Sequence, residues 1–181
     1  MLKQRVFQIA VIFAAFMMLN LTVHSGEPCN RSTDVDSGVR PNTGAYGYAE
    51  VIEVGWYKRG NDYYANVTLW GYVENIMGPG TISAAILYDF RVIELTPNFN
   101  FKAQWYVAPI EVITAQLDPC ESLMPSSYTN GLHLRGGDWL ARKIVRAETM
   151  IKAEARAGKR GELVDEWVAT GCVDKVFPRN E

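Results

Sequence analysis

The chain has 181 residues, 18 Lys and Arg against 20 Asp and Glu, and only two histidines. The near-neutral balance argues against a polyanion partner such as nucleic acid, and the length fits one ordinary domain with a core of its own. With three cysteines and two histidines in the whole chain, and no paired metal-ligand spacing among them, a zinc or other metal cofactor is not expected.

In chain order, Lys3 and Arg5 precede an apolar run from Val6 to Leu19, interrupted by Gln8 alone, and Val23-His24-Ser25 then offers a cleavage site. This is the layout of a secretory signal peptide over residues 1–25. A secreted or periplasmic protein is expected, beginning at Gly26; only an uncleaved leader would make the chain membrane-bound. Cleavage after Ser25 leaves 156 of the 181 residues and a net charge of −4. Residues 26–45 are polar and turn-rich, which predicts a flexible N-terminal arm ahead of a single domain over 46–181. Asp34-Val35-Asp36-Ser37-Gly38 hints at a calcium loop but lacks the later ligands, so it reads as turn chemistry.

Tyr48 to Lys58 and Tyr63 to Glu74 are rich in β-branched and aromatic residues and flank Arg59-Gly60-Asn61-Asp62, which predicts a hairpin. Ile82 to Leu95 is a third strand with Ile82, Ala84, Ile86, Tyr88, Phe90 and Val92 on one face. Phe99, Phe101, Ala103, Trp105 and Val107 alternate with polar partners and predict a half-buried fourth strand. Further on, Asp138 is a good N-cap and Trp139 to Ala157 is dense in helix formers, with Leu140, Ile144, Ala147 and Ile151 as an apolar stripe and Gly158 as a stop. Glu162 to Ala169 predicts a shorter helix. The fold class expected is α+β, an antiparallel sheet of about four strands packed by a C-terminal helix, with an all-β sandwich carrying a helical tail as the alternative.

An exported chain makes Cys29, Cys120 and Cys172 disulfide candidates. Joining Cys120 to Cys172, the preferred pair, would tie the predicted helix to the sheet and leaves Cys29 on the arm for an intermolecular bond; Cys29 bonded to either partner is the alternative. Asn30-Arg31-Ser32 and Asn66-Val67-Thr68 are glycosylation sequons. In a strand, Asn66 shares a face with Tyr64, Thr68, Trp70 and Tyr72, so a glycan there would put large aromatics in solvent.

Catalytic sets are sparse. His133 is the one histidine after the leader and no Gly-x-Ser-x-Gly turn accompanies it. Carboxylates near the strands, Glu50, Glu53, Glu74, Asp89, Glu94 and Glu111, leave room for a carboxylate-based glycan hydrolase. The aromatic density favours instead a non-enzymatic binding module, with Trp56, Tyr64, Trp70, Tyr72 and Trp105 as ligand-binding candidates for a small lipophilic, carbohydrate or protein ligand, and no cofactor. A third reading, a structural component of an extracellular or periplasmic assembly, rests on the arm and the odd cysteine.

Overall fold

A computed structural model describes residues 26–76, 78, 80–123, 127–158 and 161–178; the signal-peptide and anchor readings of 1–25 lie outside the described residues. Among the described residues, eleven strands form two antiparallel sheets. Sheet A runs in the order β1 (Asn30–Arg31), β11 (Leu163–Val176), β10 (Ile144–Ala157), β5 (Ile82–Leu95). Its far edge is shared by β7 (Glu111–Leu117) along the first half of β5 and β6 (Phe101–Val107) along the second. Sheet B runs β2 (Asp34–Val39), β3 (Tyr46–Arg59), β4 (Asp62–Glu74), then β9 (Tyr128–Leu134) and β8 (Ser122–Leu123) side by side on β4.

The sheets stack face to face, and period-two alternation decides what lies between them. Sheet B contributes Ala45, Ala49, Val51, Val54, Tyr63, Ala65, Val67, Leu69 and Val73; sheet A contributes Ile82, Ile86, Phe90, Val92, Val145, Ala147, Ile151, Trp167 and Ala169. Val51 and Val54 both point inward because a bulge between Val51 and Glu53 inserts Ile52 and shifts the parity of β3. Glycines set the closest approach: a Cβ at Gly47 would fall inside the Trp167 indole, and one at Gly71 would lie 2.9 Å from Ile151 Cδ1. Arg59 pairs with Asp62 around Gly60-Asn61, with Gly60 at φ +63°, so the predicted hairpin closes as a tight turn with glycine first.

The expected α+β class is wrong, and so is the helical tail of the alternative; the all-β sandwich is what the chain forms. No α-helix occurs among the described residues. The segment read as a helix over 139–157 is one 3-10 turn (Asp138–Leu140) followed by β10, and the shorter helix over 162–169 is the start of β11. Val145, Ala147, Thr149, Ile151, Ala153 and Ala155 are all buried, alternating with Arg146, Glu148, Lys152, Glu154 and Arg156 on the other face. Both periods were present, and tertiary pairing overrode the helix propensity of Ala, Glu, Lys and Arg. The charges find partners across strands: Arg146 Nε donates to Asp174 Oδ1 at 2.7 Å, and Lys152 Nζ lies 2.7 Å from Glu166 Oε2. Ile144 of the expected stripe is only half-buried.

The predicted flexible arm is also built into the sandwich. Residues 26–45 contain β1 and β2, Glu27 O accepts from Arg146 Nη2 at 2.7 Å, and Trp167 Nε1 donates to Gly38 O at 2.9 Å. Asp34 and Asp36, read as turn chemistry, stand on β2 and accept the edge N–H groups of Thr170 and Val168 at 3.0 and 3.1 Å. Those N–H groups would otherwise offer an unpaired edge.

The disulfide joins Cys29 to Cys172, with 5.8 Å between Cα atoms, in place of the expected Cys120 to Cys172 bond. Cys120 is the exposed free thiol, in the turn after β7 with its N–H donating to Asn75 O. Cys29 is therefore not free for an intermolecular bond. Pairing of β1 with β11, which sets Arg31 opposite Cys172, brings Cys29 beside its partner. A disulfide fits an oxidising compartment. No helix among the described residues is long and apolar enough to cross a membrane.

Candidate functional site

The outward face of sheet B is the surface on which aromatic side chains gather. Strand register fixes its rows: Tyr46 opposite Glu74, Tyr48 opposite Tyr72, Glu50 opposite Trp70, then Glu53 opposite Thr68, Gly55 opposite Asn66 and Tyr57 opposite Tyr64. Strand β9 adds Thr129, Gly131 and His133 beside Thr68, Asn66 and Tyr64. These side chains face away from the other sheet because their neighbours at odd spacing fill the core.

At one end, four rings form a continuous tract. Tyr48 meets Trp70 edge-on at 4.7 Å, Trp70 lies nearly parallel to Tyr72 at 6.5 Å, and Tyr72 meets Tyr46 at 6.2 Å. All four are half-buried, covered on their flanks by one another and open above. Carboxylates border the tract. Tyr72 Oη donates to Glu74 Oε2 at 2.7 Å, and Tyr57 Oη donates to Glu53 Oε1. Burial, reinforced by the neighbouring Glu50, raises the Tyr48 phenol above its ordinary value; burial and Glu74 do the same to Tyr72. For Tyr57 the Glu53 hydrogen bond comes first, then burial. Residues 46–57 and 64–74 carry no lysine or arginine. The tract is therefore aromatic and anionic.

At the other end, His133 stacks on Tyr64 at 4.6 Å and places Nε2 2.9 Å from Asp62 Oδ2. The Gly136 N–H, then His133, hold the Asp62 carboxyl below its usual range. The pair fastens β9 to the start of β4.

Of the ligand-binding candidates read from sequence, Tyr64, Trp70 and Tyr72 share this face. Trp56 and Trp105 do not. Trp56 turns inward, its Nε1 donating to Val173 O at 3.0 Å and its ring edge-on to Phe177. Trp105 is on sheet A, donating to Glu94 Oε2 at 3.2 Å and meeting Trp139 at 5.3 Å, with the Lys143 ammonium over both rings. Of the carboxylates, Glu94 is paired with Lys102 and Lys143, and Asp89 with Arg91. Burial opposes the Glu94 charge, but the two ammonium groups outweigh it and lower its pKa. Among the described residues no group of three or more His, Cys, Asp or Glu is arranged to hold a metal ion.

Sequence reasoning missed Tyr46 and Tyr48, and named Glu50 only as a strand carboxylate without placing it beside the aromatic rings. The two-residue turn at Gly60-Asn61 fixes the register of β3 on β4 only as far as Glu53 and so places Tyr57 opposite Tyr64. The Ile52 bulge, which has no sequence signature, is what turns Tyr46, Tyr48 and Glu50 to the outer face.

An open aromatic face on an antiparallel β-sandwich defines the class of protein by its architecture. The chain matches no protein-family model and no curated protein.

Proposed function

We propose that the protein is a secreted, non-enzymatic binding module whose sheet B face takes a neutral carbohydrate. The observation that carries this reading is the tract of Tyr46, Tyr48, Trp70 and Tyr72 between Glu50 and Glu74, solvent-facing and free of lysine and arginine. Aromatic faces pack against the C–H face of a sugar ring, and the rim carboxylates accept hydrogen bonds from its hydroxyls. An anionic ligand would be repelled by the same carboxylates, and a lipid tail needs an enclosing cavity that an open face does not provide. The disulfide supports the secreted part of the proposal.

The test is binding of immobilised neutral oligosaccharides by the disulfide-intact protein. Trp70→Ala should lower affinity about tenfold or more, about 1.4 kcal/mol, while Trp105→Ala leaves it unchanged. Unaltered binding by Trp70→Ala, or retention of anionic glycans alone by the wild type, overturns the reading.

A further inference from the structure

We infer that Asn66 is a site of N-linked glycosylation, rooted in a gap that the fold leaves open around it. Asn66 is exposed at the middle of β4, and Thr68 of the sequon projects from the same face two residues on. Its cross-strand neighbours are glycine on both sides, Gly55 on β3 and Gly131 on β9. A Cβ at Gly131 would lie 2.6 Å from Asn66 Oδ1, so the Asn66 side chain lies over bare backbone there. At Gly55 an added Cβ would meet nothing closer than Glu53 Oε1 at 3.7 Å. The central strand of a sheet normally crowds each outward side chain with its two cross-strand neighbours. Here that crowding is absent at the row of sheet B that carries a sequon, and the first sugar of a glycan has room against the sheet.

The transfer requires a lipid-diphosphate-linked oligosaccharide as donor. The Asn66 Nδ2 atom loses one proton to the transferring enzyme's base and bonds to C1 of the first N-acetylglucosamine. The bond from C1 to the diphosphate oxygen breaks, and the lipid diphosphate leaves with the electron pair. Oxidation states do not change. On β4, Asn66 lies four residues from Trp70, about 13 Å along the strand. The glycan would border the aromatic tract without covering it, so the inference does not rest on the carbohydrate-binding reading.

The experiment is secretion of the full chain, leader included, from a eukaryotic cell, with intact mass read before and after amidase removal of N-glycans. A glycan mass that disappears in Asn66→Gln and Thr68→Ala and persists in Thr68→Ser is the expected result. The Thr68 pair guards against a folding defect in the Asn66 variant, because serine keeps and alanine removes the sequon hydroxyl at the same half-buried position. Secreted wild-type chain without amidase-sensitive mass, or a mass that Asn66→Gln leaves unchanged, overturns the inference. Oligosaccharide binding by the amidase-treated protein is read separately, so failure here and failure of the binding face remain distinct.

Discussion

Adding a single methyl group at Gly47 tests the packing of the two sheets. Gly47 is on β3 and faces Trp167 of β11, which is fully buried. The indole cannot swing aside freely, because its Nε1 donates to Gly38 O at 2.9 Å and the Arg40 guanidinium lies 5.8 Å from the ring centroid. Overpacking costs about 1 to 3 kcal/mol, and the pinned ring places Gly47→Ala toward the upper end. Replacing glycine by alanine in a strand recovers about 0.5 to 1 kcal/mol. The net loss should be about 2 kcal/mol, a fall of roughly 4 to 8 °C in Tm for a domain of this size. Trp167→Leu alone should cost about 3 kcal/mol through the vacated space and the orphaned Gly38 carbonyl. It also makes room for the new methyl, so the double variant should lose at least about 1 kcal/mol less than the two losses added. Urea unfolding followed by far-ultraviolet circular dichroism, disulfide intact, measures all three. Additivity within about 0.5 kcal/mol would show that β3 and β11 do not face each other at this point.

Two further outcomes follow from bonds and charges. Cys29→Ser opens a link spanning 143 residues and should cost about 3 to 5 kcal/mol in the chain-entropy model, whereas Cys120→Ser should cost under about 0.5 kcal/mol; equal melting temperatures would reassign the disulfide. Burial pushes the Glu148 carboxyl up to about 7, with Arg91 and Arg146 opposing and Asp89 and Asp174 assisting. A folded-state pKa above the unfolded one means stability is lost as pH rises from about 4.5 through 7, so Glu148→Gln should be near neutral at pH 5 and stabilising by about 1 to 3 kcal/mol at pH 8. A thermal-melt difference that is the same at both pH values would refute it.

The hairpin of β3 and β4 and the buried face of β5 could be read directly, because Gly60-Asn61 and the Ile82-to-Val92 alternation each satisfy only one period. The C-terminal hairpin could not. Ala147, Ala153 and Ala155 are small where the sheets approach closely, and the same alanines raise helix propensity; the choice depends on β5, far away in sequence, flanking β10 on the side opposite β11. The N-terminal strands were obscured for a related reason. Asp34, Asp36 and Gly38 look like turn residues until β11 supplies the N–H groups that the two carboxylates accept and the Trp167 donor that binds the Gly38 carbonyl. Part of the aromatic face of sheet B was visible in Tyr64, Trp70 and Tyr72, which follow period two from Asn66. Trp56 and Trp105 were grouped with them on aromatic character alone, and residue type does not say which side of a sheet a ring occupies.

The bond between Cys29 and Cys172, with β1 laid along β11, closes the chain from Cys29 to Cys172 into a covalent ring. A protease that severs the exposed Gly60-Asn61 turn or the 96–100 connection cuts that ring once and releases nothing. The two pieces stay tethered, and their strands remain interleaved, since β5 pairs with β10 and β1 with β11. Nicked protein should therefore migrate as one species until it is reduced.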